Sequence, residues 1–179
     1  NAYAVEHILP KGFNKAPLPV LYNSWEATWF DVSSEGQQKL AEIAADIGCE
    51  LFVMDDGWFG ERKDDRAGLG DWYVNKEKFP NGLKPLIDKV KSLGMRFGLW
   101  FEPEMVNPDS DLFRTHPDWA YHYDTRDAEL LRHQLVLNLT KPEVKEFVFK
   151  TMDDMLCEYD ISYIKWDMNR AYSQTGAEN

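Results

Sequence analysis

No apolar run in this 179-residue chain is long enough to cross a bilayer. The start also lacks a charged opening followed by an apolar stretch, so nothing in it reads as a secretory leader. Basic residues are scarce: 20 Lys and Arg stand against 31 Asp and Glu, for a net charge of -11. That balance argues against a nucleic-acid partner, whose phosphates need a basic surface. There are two cysteines, Cys49 and Cys157, far apart and each set among apolar residues. They read as two buried thiols rather than a disulfide, which points to a reducing, cytoplasmic setting. No Gly-x-Gly-x-x-Gly and no phosphate loop follows the first strand, so a dinucleotide fold has little support. Asn138-Leu139-Thr140 spells a glycosylation acceptor. Asn138 closes an apolar run, however, and Thr140 reads as a helix cap, so the site is discounted.

What the chain does have is core-forming material: 44% hydrophobic and 14% aromatic residues, enough for one domain. Residues 1–19 are punctuated by Pro10, Gly12, Pro17 and Pro19 without periodicity, and read as a connector from an absent upstream domain. From there strands and helices alternate. Val20–Trp25 is a first strand. Ser34 opens a helix with Gln37 completing a capping box, and Leu40, Ile43, Ala44 and Ile47 form its apolar face. Glu50–Asp56 is apolar enough to be buried on both faces. A long polar loop, 57–82, reads as functional or disordered. A second helix carries Leu83, Leu86, Ile87, Val90 and Leu93, with Pro85 in its first turn and Gly94 after its end. Arg96–Phe101 is the third strand. After a second long loop and a short apolar run at Gln134–Leu139, Thr140 caps a third helix whose buried face is Val144, Phe147, Val148, Met155 and Leu156. Ile161–Asp167 is the last strand. Three strand–helix units closed by a fourth strand imply an α/β fold with a parallel sheet and right-handed crossovers. The best match is a TIM-barrel-type (β/α) arrangement of about four units, a half barrel spanning residues 20–179.

In such a sheet the strand ends meet on one rim. Tyr163 and Ile164 read as the end of a buried strand, and Lys165 and Asp167 then point to the same side of it. The cation keeps the carboxylate ionised, as a carboxylate nucleophile requires. Trp166 alternates away and reads as packing. Tryptophan recurs at each strand end, as Trp25, Trp58, Trp100 and Trp166, and three ends add carboxylates: Asp55 and Asp56, Glu102 and Glu104, and Asp167. Indole faces beside carboxylates suit a sugar, which presents an apolar C–H face and a ring of hydroxyls. Two other readings remain open at this point. One is a magnesium-dependent barrel enzyme with Asp55, Glu102 and Asp167 as ligands and Lys165 as base; the other is a non-catalytic sugar-binding module.

The segments Asn23-Ser24-Trp25-Glu26, Met54-Asp55-Asp56-Gly57-Trp58, Gly98-Leu99-Trp100-Phe101-Glu102-Pro103-Glu104 and Lys165-Trp166-Asp167-Met168-Asn169-Arg170 together resemble the α-galactosidases of glycoside hydrolase family 36. The resemblance runs from about Pro10 to Tyr172. It implies Asp167 as catalytic nucleophile and Lys165 as a ligand of sugar hydroxyls. It also implies Asp55 and Asp56 as holders of the terminal galactose, Trp25 and Trp100 as aromatic walls, and Arg132 as a basic residue at the pocket edge. It implies no metal and no organic cofactor, with galactose-containing oligosaccharides as substrates. Galactosyl transferases and N-acetylgalactosaminidases are close kin in that family. The acid/base carboxylate would come from a sixth barrel strand, beyond Asn179, so the segment alone is expected to be inactive. Its two open sheet edges are expected to promote self-association.

Overall fold

The computed structural model describes residues 2–12, 17–173 and 176. Among them are six strands: β1 (Leu21–Asn23), β2 (Leu51–Met54), β3 (Arg96–Phe101), β4 (Met105–Val106), β5 (Leu135–Val136) and β6 (Tyr163–Trp166). Four of these, β1, β2, β3 and β6, form one parallel sheet in that order. Strands adjacent in the sheet are thus successive parallel strands of the chain, each joined by a crossover, which is barrel-type connectivity. The register places Asn23 beside Val53, Met54 beside Leu99, and Trp100 beside Lys165. All four C-terminal ends therefore lie on one rim.

β2 and most of β3 are buried, as their uninterrupted apolar runs demand. Gly98 sits where a side chain would press on the flanking strands. A Cβ there would come to 3.0 Å from both Tyr163 and Val53 on the flanking strands. The edges differ. Tyr163 at the start of β6 is exposed and Ile164 is half-buried, so the last strand is not the buried one expected. Among the described residues it has no strand on its outer side.

The helices are α1 (Trp25–Thr28), α2 (Ser34–Asp46), α3 (Lys84–Ser92), α4 (Asp111–Thr115) and α5 (Pro142–Glu158). The first strand is shorter than expected because Trp25 already begins α1. The cap of α2 is Ser33, whose Oγ accepts from Gly36 N. Gln37 completes no capping box; it is buried, and its side-chain amide donates to Thr28 Oγ1 at 3.4 Å. Ala41 and Ala44 face the core, whereas Ile43 and Ile47 are exposed. Helix α3 behaves as its pattern demands, burying Leu83, Leu86, Ile87 and Val90, with Pro85 at its start. Thr140 does not cap α5. Its own N–H and hydroxyl both donate to Asn138 Oδ1, and Lys141 occupies the cap position without a side-chain bond. Asn138 is buried, as the discounting of the glycosylation triplet requires. On α5, Val144, Val148 and Met155 are buried while Leu156 is exposed. Cys157 is exposed as well and Cys49 half-buried, and both are free thiols, so the expected pair of buried thiols is corrected at Cys157.

The loops carry more structure than their polarity suggests. Loop 57–82 buries Trp58, Phe59, Arg62, Leu69, Trp72 and Phe79 and adds an isolated bridge between Phe59 and Val74. Lys78 holds it down by donating from Nζ to the carbonyls of Phe30, Gly57 and Arg62. Loop 105–132 contains α4 and the β4 half of an antiparallel pair with β5. In the connector, Ala4–Ile8 forms a single wide helical turn; residues 1 and 13–16 lie outside the described residues. No described helix is long and apolar enough to cross a membrane.

Candidate active site at the strand ends

Each strand of the parallel sheet delivers a polar side chain at or just past its C-terminal end. From β1, Asn23 Nδ2 donates to Asp55 Oδ2 at 2.6 Å. From β2 come Asp55 and Asp56, both buried. The backbone turns sharply after them at Gly57, whose φ is +106°; a Cβ there would lie 2.8 Å from Phe30 O. β3 delivers Trp100 and Glu102, and β6 delivers Lys165 and Asp167. Lys165 Nζ sits 2.8 Å from Asp55 Oδ2 and 3.9 Å from Asp167 Oδ2, so one cation bridges two strand ends.

Apart from Asn23, these groups line a single cavity of about 320 Å³. All seven site residues singled out in the sequence, Trp25, Asp55, Asp56, Trp100, Arg132, Lys165 and Asp167, reach it. Of the four strand-end tryptophans, two do not. Trp58 is fully buried beneath the cavity, its Nε1 donating to Trp100 O at 3.0 Å. Trp166 is exposed and donates to Glu104 Oε1 at 2.9 Å, so it is not the packed residue expected. Strand alternation sends it away from the cavity, where it is left half exposed.

Asp167 is held by donors, not by a rigid ion pair. Trp100 Nε1 and Asn169 Nδ2 each donate to its Oδ2 at 2.9 Å, and Met168 N donates to Oδ1. Burial raises the carboxyl. The Trp100, Asn169 and Met168 donors and the Lys165 charge outweigh it and hold Asp167 below its ordinary value. The result is a carboxylate ionised at neutral pH and still in reach of the cavity.

Asp56 is held in a different way. Arg62 Nε and Nη2 donate to its two oxygens at 2.9 and 2.8 Å, with both side chains buried. Burial pushes the Asp56 carboxyl up, and Arg62 pulls against it. Arg62 also donates to Ala67 O and Asn107 Oδ1, and lies over the Phe30 ring at 5.1 Å. Sequence reasoning missed Arg62 because it sits in a run of charged loop residues. The signal was indirect: a strand-end aspartate that must be buried needs a guanidinium in reach.

Glu102 was singled out only weakly in the sequence, yet it is fully buried. Its Oε1 accepts from Asn169 N and its Oε2 from Gln134 Nε2 and Asn169 Nδ2. Burial raises its carboxyl above the ordinary value, and the Asn169 donors oppose this. Glu102 thus orients the amide that in turn holds Asp167.

Arg132 and His133 take left-handed backbone conformations, φ 52° and 60°, at the centre of a tight turn closed by Gln134 N donating to Leu131 O at 3.1 Å. Residues other than glycine and asparagine avoid such a turn. It is held by Asn107 Nδ2, which donates to His133 O at 2.8 Å, and by Arg170 Nη1, which donates to Gln134 O. Arg132 is thereby fixed at the cavity edge.

The donor set does not favour a metal. Asp55 already accepts from Asn23, Lys165 and Asp56 N. No three His, Cys, Asp or Glu among the described residues come together as a metal site would require.

A parallel barrel-type sheet with a carboxylate- and indole-lined cavity at its C-terminal rim defines the general class of (β/α)-barrel proteins with a strand-end site. The comparisons narrow it. The Melibiase family profile matches residues 1–179, and the chain belongs to that family. An α-galactosidase of Escherichia coli is 51% identical over 160 residues, 89% of this chain and 23% of that protein. The α-galactosidase AgaA of Geobacillus stearothermophilus is 48% identical over 165 residues, 92% of this chain and 23% of that protein. The crystal structure of AgaA, a glycoside hydrolase family 36 enzyme, superposes with a TM-score of 0.89 at 48% identity, covering 93% of this chain and 23% of that one. A variant of AgaA in complex with raffinose gives the same score and coverage. The chain spans about a quarter of the length of these curated relatives.

Proposed function

We propose that this chain is the first half of the catalytic barrel of a retaining α-galactosidase, with residues 1–19 as the connector leading into it and 20–179 as the half barrel. The observation that carries the reading is Asp167: an ionised carboxylate on the cavity wall, held by Trp100, Asn169 and Lys165, opposite the carboxylates of Asp55 and Asp56. In this reading Asp55, Asp56 and Lys165 bind the hydroxyls of a terminal galactose, Trp25 and Trp100 wall its ring, and Arg132 closes the edge. Asp167 attacks the anomeric carbon. The bond to the leaving oxygen breaks as a second carboxylic acid protonates it, leaving a galactosyl ester on Asp167. Water, deprotonated by that second group, then cleaves the ester and releases galactose with retained configuration. The second carboxyl would stand about 5–5.5 Å from the first and is assigned to a later barrel strand. The substrates are galactose-containing oligosaccharides such as the raffinose bound by AgaA.

Free Cys49 and Cys157 favour a reducing, cytoplasmic location. The open edges of β1 and β6, with exposed Leu21 and Tyr163, favour association of this segment with itself or with the remaining half barrel. Sedimentation of the segment as a clean monomer at micromolar concentration would refute self-association. The function itself is tested by following galactose release from raffinose by the intact enzyme with proton NMR. The α-anomer appearing first supports the reading, and the β-anomer appearing first excludes it.

A further inference from the structure

The turn Thr28–Asp31 places a tryptophan where the backbone favours glycine. Asp31 N donates to Thr28 O at 2.9 Å, and Trp29 between them has φ 51° and ψ -127°. Those angles belong to the first central position of a type II′ turn, which glycine ordinarily fills. Strain of this kind persists where the surroundings use it, and burial is not the use here. Trp29 is 59% exposed, so core packing does not account for the residue.

Trp29 has one prominent aromatic neighbour. Its ring lies 5.5 Å from that of Trp25 at 31°, and Trp25 lines the cavity. Trp25 is backed edge-on by Phe30 at 5.0 Å, and Phe30 lies beneath the Arg62 guanidinium that grips Asp56. A continuous aromatic ledge therefore runs from the Asp56 clamp through Trp25 to solvent, with Trp29 as its outer end. Indole faces stack on the C–H faces of sugar rings. The galactose-binding groups surround the inner end of the ledge, and the exposed Asp31 that closes the outer turn adds an acceptor suited to hydroxyls.

We propose that Trp29 is a binding residue for a sugar unit beyond the terminal galactose, extending the site outward along Trp25 for oligosaccharides of two or more rings. This rests on the α-galactosidase reading above. It predicts that Trp29 acts on substrates with a sugar leaving group and is indifferent to those without one.

The test compares raffinose and stachyose with α-galactosyl fluoride, whose leaving group has no ring, in the intact enzyme carrying this segment. Trp29→Gly removes the indole and relieves the turn, so folding is not at risk; Trp29→Ala is the companion variant. The expected result is a loss of about tenfold in kcat/KM for the oligosaccharides, carried by KM, with the fluoride changed less than about twofold. An equal loss on the fluoride would overturn the proposal by showing that Trp29 serves the galactose pocket or the fold. No loss on either substrate would overturn it as well, and would leave Trp29 to a protein contact. If the unsubstituted enzyme turned over neither substrate, the α-galactosidase reading itself would fall, an outcome distinct from both.

Discussion

Asp56 and Asp167 are aspartates at the ends of parallel strands two places apart in the same sheet, and the protein treats them in opposite ways. Asp56 is buried and locked by a bidentate guanidinium. Asp167 is partly open, held by an indole, an amide and a backbone N–H, with Lys165 at a looser 3.9 Å. A clamped carboxylate is a fixed acceptor: it can hold a hydroxyl but cannot advance on a carbon. A carboxylate on neutral donors keeps its charge and retains the freedom to form a bond. The difference in holding, more than the shared residue type, is what supports the proposed split of one group to binding and the other to reaction.

The largest expected effect separates the two most sharply. Asp167→Asn in the intact enzyme is expected to lower kcat by about 10⁴-fold or more, since it removes the proposed nucleophile, while circular dichroism melting shows little loss of stability. Arg62→Ala should do the reverse at first: it strands the buried Asp56 carboxylate, which costs about 3–5 kcal/mol, read as a reduced urea midpoint. If Asp167→Asn proved the more destabilising of the two, the contrast would be wrong.

Glu102→Gln comes next. It leaves one acceptor oxygen for Asn169 N but turns the other, which accepts from Gln134 Nε2 and Asn169 Nδ2, into a donor, and kcat is expected to fall about tenfold, the worth of one hydrogen bond to the holder of Asp167. Because Glu102 acts through Asn169, the same change in an Asn169→Ala background should cost almost nothing further. Additive losses would show that Glu102 merely supports the core through Gln134.

The pH dependence of stability gives a finer test, because the shifts have opposite signs. Glu102 is raised by burial, so its contribution is fully present below the ordinary glutamate value of about 4.3 and is lost as pH rises through its higher folded value. Asp167 is depressed, so its contribution is present above the ordinary aspartate value of about 3.9 and is lost as pH falls through its lower folded value. Melting curves should therefore show the advantage of the natural protein over Glu102→Gln shrinking with rising pH, and its advantage over Asp167→Asn growing. Parallel trends would contradict the assignment. The smallest effect belongs to the outer flank: Ile47→Ser, at an exposed position, is expected to shift stability by no more than about 0.5 kcal/mol.

The same contrast shows what was legible in the sequence. Strand β3 reads directly from its apolar run, and the Asp55-Asp56 and Lys165–Asp167 ends follow from strand alternation, because both signals are local. Arg62 was not legible, since its pairing with Asp56 depends on how loop 57–82 folds back, and a charged loop looks the same whether its arginine is buried or solvated. Ile43, Ile47 and Leu156 follow helical periodicity but remain exposed. An apolar stripe declares that a helix wants cover without saying which element provides it. Trp166 failed for the same reason: alternation gave its face of the sheet correctly but not whether anything lay against it. Glu102 was under-read because its partners Asn169 and Gln134 lie 67 and 32 residues away.

The most direct trial of Asp167 as the reacting carboxylate is to trap the intermediate. The intact enzyme would be treated with a mechanism-based fluorinated galactoside, digested with protease and analysed by mass spectrometry. A single galactosyl adduct on the peptide carrying Asp167, at that residue, is the predicted result. An adduct on Asp55, Asp56 or Glu102 would contradict the account.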